Sequence, residues 1–282
     1  MQANSIKRLE IDWNDFRARV FAAAAGAQTI SGTYEAIRTA IGLLGDGHSS
    51  YRTSTGATIF VPTRTCNAVP IVTAPTLPGT IGYVRVRSFS GTAQQAVTFA
   101  TSIQEAIKAA DRDDLIGWIV DLRGNGGGNM WPMLAGVGPV LGEGVAGYFI
   151  DPVGAEKVWE YEQGASRIDG VVVTQVEAPY RLRRESPRVA VLIDNWVASS
   201  GEAAAIAFKQ RPATRFFGTP TCGLSTANAG FPLSDGALLI LTVSTMADRT
   251  RQSYGQSVAP DESIADPTQL VQRAVAWLES GA

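Results

Sequence analysis

Helical and strand periodicities alternate along this chain, and their order sets the expected architecture. In residues 6–25, Ile11, Trp13, Phe16, Val20, Phe21 and Ala24 recur at helical spacing, and Gly26 ends the run. Tyr34, Ile37, Ala40, Ile41 and Leu44 form the inward stripe of a second helix over residues 31–44, with Ser31 as its cap. It stops at the polar turn of residues 45–50, where glycines relieve the backbone. Short strands are expected at 58–61 and 67–73, a longer one at 79–89, an amphipathic helix at 92–110 and a strongly apolar strand at 115–122. A strand–helix–strand order of this kind implies a right-handed crossover and a largely parallel sheet.

Residues 130–141 predict a helix in which Pro132 is tolerable in the first turn. Strands at 147–150, 156–161 and 171–176 make a hairpin-like excursion whose aromatic residues (Tyr148, Phe149, Trp159, Tyr161) suit the wall of a cleft. A buried strand at 189–193 then runs through a tight polar turn into an alanine-rich helix at 200–210. After it come a short strand at 215–217, a polar loop at 218–228, a β-hairpin (231–233 and 237–243) around Ser234-Asp235-Gly236, and a last amphipathic helix at 267–278. The pattern is mixed α/β, with residues 1–50 as a helical segment packing on the remainder of the chain.

Length and composition narrow the function. A chain of 282 residues, 45% hydrophobic and 18% charged, can bury a sizeable core. Its net charge of −2 offers no electrostatic case for binding nucleic acid or an anionic membrane. No apolar run reaches spanning length. The opening ten residues lack the basic and apolar regions of a signal peptide, so the protein is either cytoplasmic or exported with its signal removed. Cys66 and Cys222 permit one disulfide without arguing for it. With a single histidine and no paired Cys-x-x-Cys or His-x-x-x-His spacing, no metal or other cofactor is expected.

Two stretches carry candidate chemistry. The junction VLIDNWVASSGEAAA places Ser199 above the end of a strand with a helix N-terminus behind it, where unpaired N–H groups suit a developing anion. Ser199 there is a candidate nucleophile with an oxyanion donor beside it; a helix cap completed by Glu202 is the alternative reading of the same residues. After the 115–122 strand, Arg123-Gly-Asn-Gly-Gly-Gly-Asn129 fits neither phosphate-loop spacing, so its glycine N–H groups read as a second oxyanion donor or as a tight turn. Imidazole acid–base chemistry at neutral pH falls to His48, on the polar turn, with Asp46 two residues away to orient it or to cap the turn.

DLRGNGGG (121–128), VASSGEAAA (197–205), QSVAPDESI (256–264) and GDGHSSY (45–51), in that family's order along most of the chain, resemble the motifs of the carboxyl-terminal processing proteases and their tricorn-like and retinoid-binding-protein-like relatives. The resemblance implies a ClpP/crotonase-like core of stacked β-β-α units over residues 51–282. It implies serine-type peptide hydrolysis through an acyl-enzyme, with Ser199 as nucleophile, His48 as base, and Ser200 with Gly127 or Gly126 as oxyanion donors. Leu224 stands where the processing proteases carry a lysine base, so a serine–lysine dyad is not expected. Where tricorn-like members use a serine before the histidine and a distant glutamate, this chain has Gly47 and Tyr254, which leaves Asp46, Ser225 and Tyr254 as candidates to orient His48. Too few residues separate His48 from the strand at Tyr83 for a PDZ module.

The implied partner is a peptide or small acyl substrate, in a periplasmic or secreted setting; a homo-oligomer stays open. An esterase on the same scaffold and an inactive ligand-binding relative are the competing readings.

Overall fold

A computed structural model describes residues 1–67 and 73–281. In chain order its elements are α1 (Trp13–Ala23), α2 (Tyr34–Leu44), β1 (Ser50–Arg52), β2 (Thr58–Phe60), β3 (Ile81–Arg85), α3 (Ala93–Ala110), β4 (Gly117–Asp121), α4 (Met130–Leu141), β5 (Gly144–Ile150), β6 (Glu156–Glu162), β7 (Ala165–Ile168), β8 (Val171–Gln175), β9 (Arg188–Ile193), α5 (Ser200–Phe208), β10 (Thr214–Gly218), β11 (Thr226–Pro232), β12 (Leu238–Ala247), β13 (Glu262–Ser263) and α6 (Pro267–Glu279). They form two compact units: residues 1–65 with 150–155 and 226–245, and residues 66–149 with 156–225 and 246–282. The expected boundary at residue 50 falls inside the first unit.

The larger unit holds a parallel sheet in the order β13-β10-β9-β4-β3. Its strands read as continuous apolar runs because both faces are covered. Trp118, Val120, Leu122, Val189, Val191 and Ile193 point into one core with α3, α4 and α5. The alternate residues Ile119, Ala190 and Leu192 meet Leu270, Ala274 and Leu278 of α6 in a second core. Thr92 opens α3 with a capping box that includes Gln95, and Asp266 caps α6 ahead of Pro267. The β5-β6-β7-β8 meander is antiparallel through β6, β7 and β8. Its β7 is absent from the sequence reading, being four residues long with Ser166 and Arg167 at its middle.

In the smaller unit α1 and α2 pack on β12 through Phe16, Ala40, Leu44 and Leu241. β1 pairs antiparallel with both β2 and β12. Helix α1 is shorter than the periodicity predicts, since Asp12 caps it by accepting from Asn14 N–H and Asp15 N–H. The preceding residues form turns, and Ile6 N–H donates to Thr242 O. Ser31 begins a single 3-10 turn rather than capping α2. The expected strand at 67–73 lies mostly outside the described residues. Part of the expected polar loop at 218–228 is strand instead: β11 begins at Thr226 and pairs with β12 through a bulge at Ala227/Asn228.

Candidate active site

Strand β9 ends at Ile193, and the next six residues turn the chain into α5. Ser199 occupies the N-cap position at φ 53°, ψ −119°, a region that an L-residue enters only under constraint. The constraint comes from both sides. Ala198 N–H donates to Asn125 O (3.0 Å), Gly201 N–H to Ala198 O (2.9 Å) and Cys222 N–H to Val197 O (2.8 Å). Glu202 forms one half of the capping box, its Oε2 accepting from Ser199 N–H at 2.9 Å. Ser199 Oγ stands over the Glu202 backbone in the other half.

The glycine loop after β4 packs directly on this turn, and Asn125 is its hub. The buried Asn125 side chain accepts from Gly127 N–H (3.0 Å) and donates to Val86 O (3.1 Å). A Cβ on Gly127, at φ 101°, would stand 2.7 Å from Ala198 O and 3.0 Å from Ser200 N, so only glycine brings the loop this close. Ser200 Oγ donates to Gly128 O at 2.7 Å. Among the described residues no acceptor meets Ser200 N–H or Gly126 N–H, whereas Gly127 N–H is engaged by Asn125. Of the two glycines expected to donate to an oxyanion, Gly126 thus has its amide unspent and Gly127 does not.

The loop's base is rigid for electrostatic reasons. Arg123 donates to both carboxylate oxygens of Asp121 (2.8 and 2.7 Å), and Tyr83 OH adds a third bond at 3.0 Å. Asp194, whose carboxyl burial pushes above its usual range, accepts from Gly124 N–H and Trp196 N–H.

Glu202 is fully buried. Besides Ser199 N–H, it accepts from Thr221 Oγ1–H (2.5 Å) and Gly223 N–H (2.8 Å). Burial pushes its carboxyl up to about 7 although its hydrogen-bond donors, Leu224 N–H among them, pull the other way.

His48 lies in the smaller unit, on the turn after α2, with its ring half-buried. Nδ1 is 2.8 Å from Thr226 Oγ1, at the start of β11. The three residues expected to orient the ring have other partners. Asp46 spends its oxygens on His48 N–H, Ser49 N–H and Ser49 Oγ–H, which fixes the turn. Ser225 Oγ donates to Gln256 O, and Tyr254 OH to Asp248 Oδ2 at 3.0 Å. Thr226 escapes a sequence reading because it sits in a stretch read as loop. Desolvation draws the imidazole down to about 4, with Asp46 opposing and Arg64 reinforcing.

Cys66 and Cys222 form a disulfide with Cα atoms 5.2 Å apart. Among the described residues there is no His/Cys/Asp/Glu group that could hold a metal ion, and no helix long and apolar enough to cross a membrane.

Comparison with known proteins gives one family. The sequence model of peptidase family S41 matches residues 80–264. The nisin-resistance protein of Lactococcus lactis subsp. lactis is 30% identical over 196 residues, 69% of this chain and 59% of that protein. The chain thus spans less than two thirds of this relative. Among solved structures, a lipoprotein from Streptococcus agalactiae superposes with a TM-score of 0.77 at 21% identity, over 100% of this chain and 93% of that one. A photosystem II D1 C-terminal processing protease superposes with a TM-score of 0.62 at 15% identity, over 98% and 96% of the two chains. At these identities the superpositions speak to the fold.

Proposed function

Because the chain belongs to peptidase family S41, we propose that it is a serine-type hydrolase in which Ser199 Oγ attacks an acyl carbonyl, with the peptide bond as its substrate class. His48 takes the Ser199 proton as the bond forms, delivers it to the leaving group, and repeats the exchange with water to release the acyl-enzyme. An imidazole held near pKa 4 is neutral at neutral pH, the form a base needs. Ser200 N–H and Gly126 N–H hold the oxyanion, at the positive end of α5. Gly127 N–H joins them only by leaving Asn125 Oδ1.

The observation that carries this reading is the strained backbone of Ser199 at a helix N-terminus, beside an amide that meets no acceptor among the described residues. A fluorophosphonate probe tests it. The probe is expected to label Ser199 in the wild type, and to leave Ser199→Ala unlabelled and His48→Ala nearly so. Labelling that persists in Ser199→Ala sinks the assignment.

One observation favours a second reading, an esterase on this scaffold. The partner of His48 Nδ1 is a hydroxyl, not a carboxylate, and so stabilises an imidazolium less. An ester asks less of the proton donor, because an alkoxide leaves more readily than an amine. Turnover of a chromogenic ester with none of the matched anilide selects the esterase. A periplasmic or secreted setting is part of the proposal and rests on the disulfide, since such bonds persist in oxidising compartments.

A further inference from the structure

The disulfide is built into the support of the candidate nucleophile. Cys66 and Cys222 join segments 156 residues apart, and both flank the turn that presents Ser199. Cys222 N–H donates to Val197 O (2.8 Å), within that turn. Asn195, also in the turn, reaches both sides of the bridge: its Oδ1 accepts from Asn67 N–H (2.9 Å) and its Nδ2 donates to Pro220 O (3.3 Å) and Thr221 O (3.4 Å). The residues flanking Cys222, namely Thr221 and Gly223, supply two of the hydrogen bonds that Glu202 receives. Another comes from Ser199 N–H. Thr221 Oγ1 also accepts from Val258 N–H (2.7 Å), so its hydroxyl cannot swing away from Glu202 without breaking a second bond.

We propose that the Cys66–Cys222 disulfide is a redox switch on Ser199: it clamps residues 221–223 against Glu202, and through Glu202 the backbone of Ser199, so that the oxidised chain is the active form. Thr221 and Glu202 are positioning residues in this scheme. It rests on the reading of Ser199 as nucleophile.

The asymmetry of the bridge gives the reduction a direction. Cys222 is buried, while Cys66 is half-buried between exposed Thr65 and Asn67. The thiolate of a dithiol attacks Cys66 Sγ, the S–S bond breaks, and Cys222 leaves as a thiolate that takes a proton. The second thiol of the reductant displaces Cys66, which is protonated in turn. Two electrons and two protons pass to the cysteines, and the reductant ends as its cyclic disulfide. Residues 220–223 are then held by hydrogen bonds instead of a covalent link: Cys222 N–H to Val197 O, the Thr221–Val258 pair, and the two from Asn195 (3.3 and 3.4 Å), which are at the long end of the range. Glu202 is left with donors that no covalent link holds in place.

The test uses the full chain, oxidised or reduced with dithiothreitol at 20 °C, with far-UV circular dichroism to follow the fold. Turnover of a chromogenic acyl ester is expected to fall at least tenfold in kcat on reduction, with KM within twofold, and to return on reoxidation. Amide hydrogen exchange is expected to quicken at least tenfold at Ser199 and Gly223 while β4 and β9 keep their protection. Thr221→Val breaks the clamp without touching the cysteines. It is expected to lower kcat in the oxidised chain and to shrink the oxidised-to-reduced ratio, with Thr221→Ser restoring both.

Unchanged kcat and unchanged protection on reduction overturn the proposal. So does protection lost equally from β4 and β9, which makes the bridge a staple for the whole unit. If the oxidised chain neither turns over nor labels, the nucleophile assignment fails, and exchange at Ser199 and Gly223 still decides whether the disulfide holds the clamp.

Discussion

His48 shows how a single polar partner sets what a residue can do. Its Nδ1 meets Thr226 Oγ1, and in the proposed mechanism that contact sets the ring plane and leaves Nε2 as the nitrogen for chemistry. A neutral hydrogen bond of this kind contributes about 1 kcal/mol net, roughly a fivefold to tenfold effect when the ring must be placed in the transition state. Thr226→Val keeps the shape and removes the hydroxyl. It is expected to lower kcat/KM for the ester about tenfold while KM moves little, and Thr226→Ser is expected to recover most of the loss. Equal kcat/KM in wild type and Thr226→Val would mean that something other than Thr226 orients the ring. That Ser199, His48 and the glycine loop lie on turns was legible in the sequence, because chain punctuation marks each of them. The sequence hid Thr226, Thr221 and the hub role of Asn125. Each of these acts through a partner at a distance in sequence (His48, Glu202, the Ala198 amide) that local periodicity does not encode.

At the scale of elements, the contact between the β4 loop and the start of α5 decides how the turn is held. Gly201, in the first turn of α5, has Asn125 O where a Cβ would go. Alanine favours a helix over glycine by up to about 1 kcal/mol, whereas forcing a methyl against fixed backbone costs about 1–3 kcal/mol. The clash therefore wins. Gly201→Ala is expected to lower the urea midpoint and to reduce fluorophosphonate labelling at Ser199 more than stability alone explains, since α5 must move off the loop. A variant more stable than wild type would show that the loop yields. Elements with strong periodicity matched their expected ranges: α4 spans Met130–Leu141 as predicted, and α3 begins one residue inside its expected range behind Thr92. Short strands with some alternation, such as β2 and β10, were also placed, but three others were not. β1, β7 and the first residues of β11 are specified by their pairing partners, β12 and the meander, rather than by their own alternation.

The whole molecule feels these sites through its pH dependence, where His48 and Glu202 pull in opposite directions. His48 is drawn from 6.5 down to about 4, so below 6.5 the unfolded chain binds the extra proton; its contribution is fully present above that pH and is lost as pH falls towards 4. Glu202 is pushed from 4.5 up to about 7, so the folded chain keeps a proton that the unfolded chain releases; stability is lost as pH rises through that window, on the order of 3 kcal/mol in all. Between pH 4.5 and 6.5 the two slopes offset each other in the wild type. Comparing variants separates them, because contributions common to both chains cancel. The stability of wild type relative to His48→Gln is expected to rise from pH 4 to 6.5 and then level off, read as the shift in urea midpoint. Relative to Glu202→Gln it is expected to fall from pH 4.5 to 7. A flat Glu202 difference would mean that the carboxylate is ionised throughout, with its hydrogen-bond donors outweighing burial. In that case Glu202 holds Ser199 equally well in acid and at neutral pH.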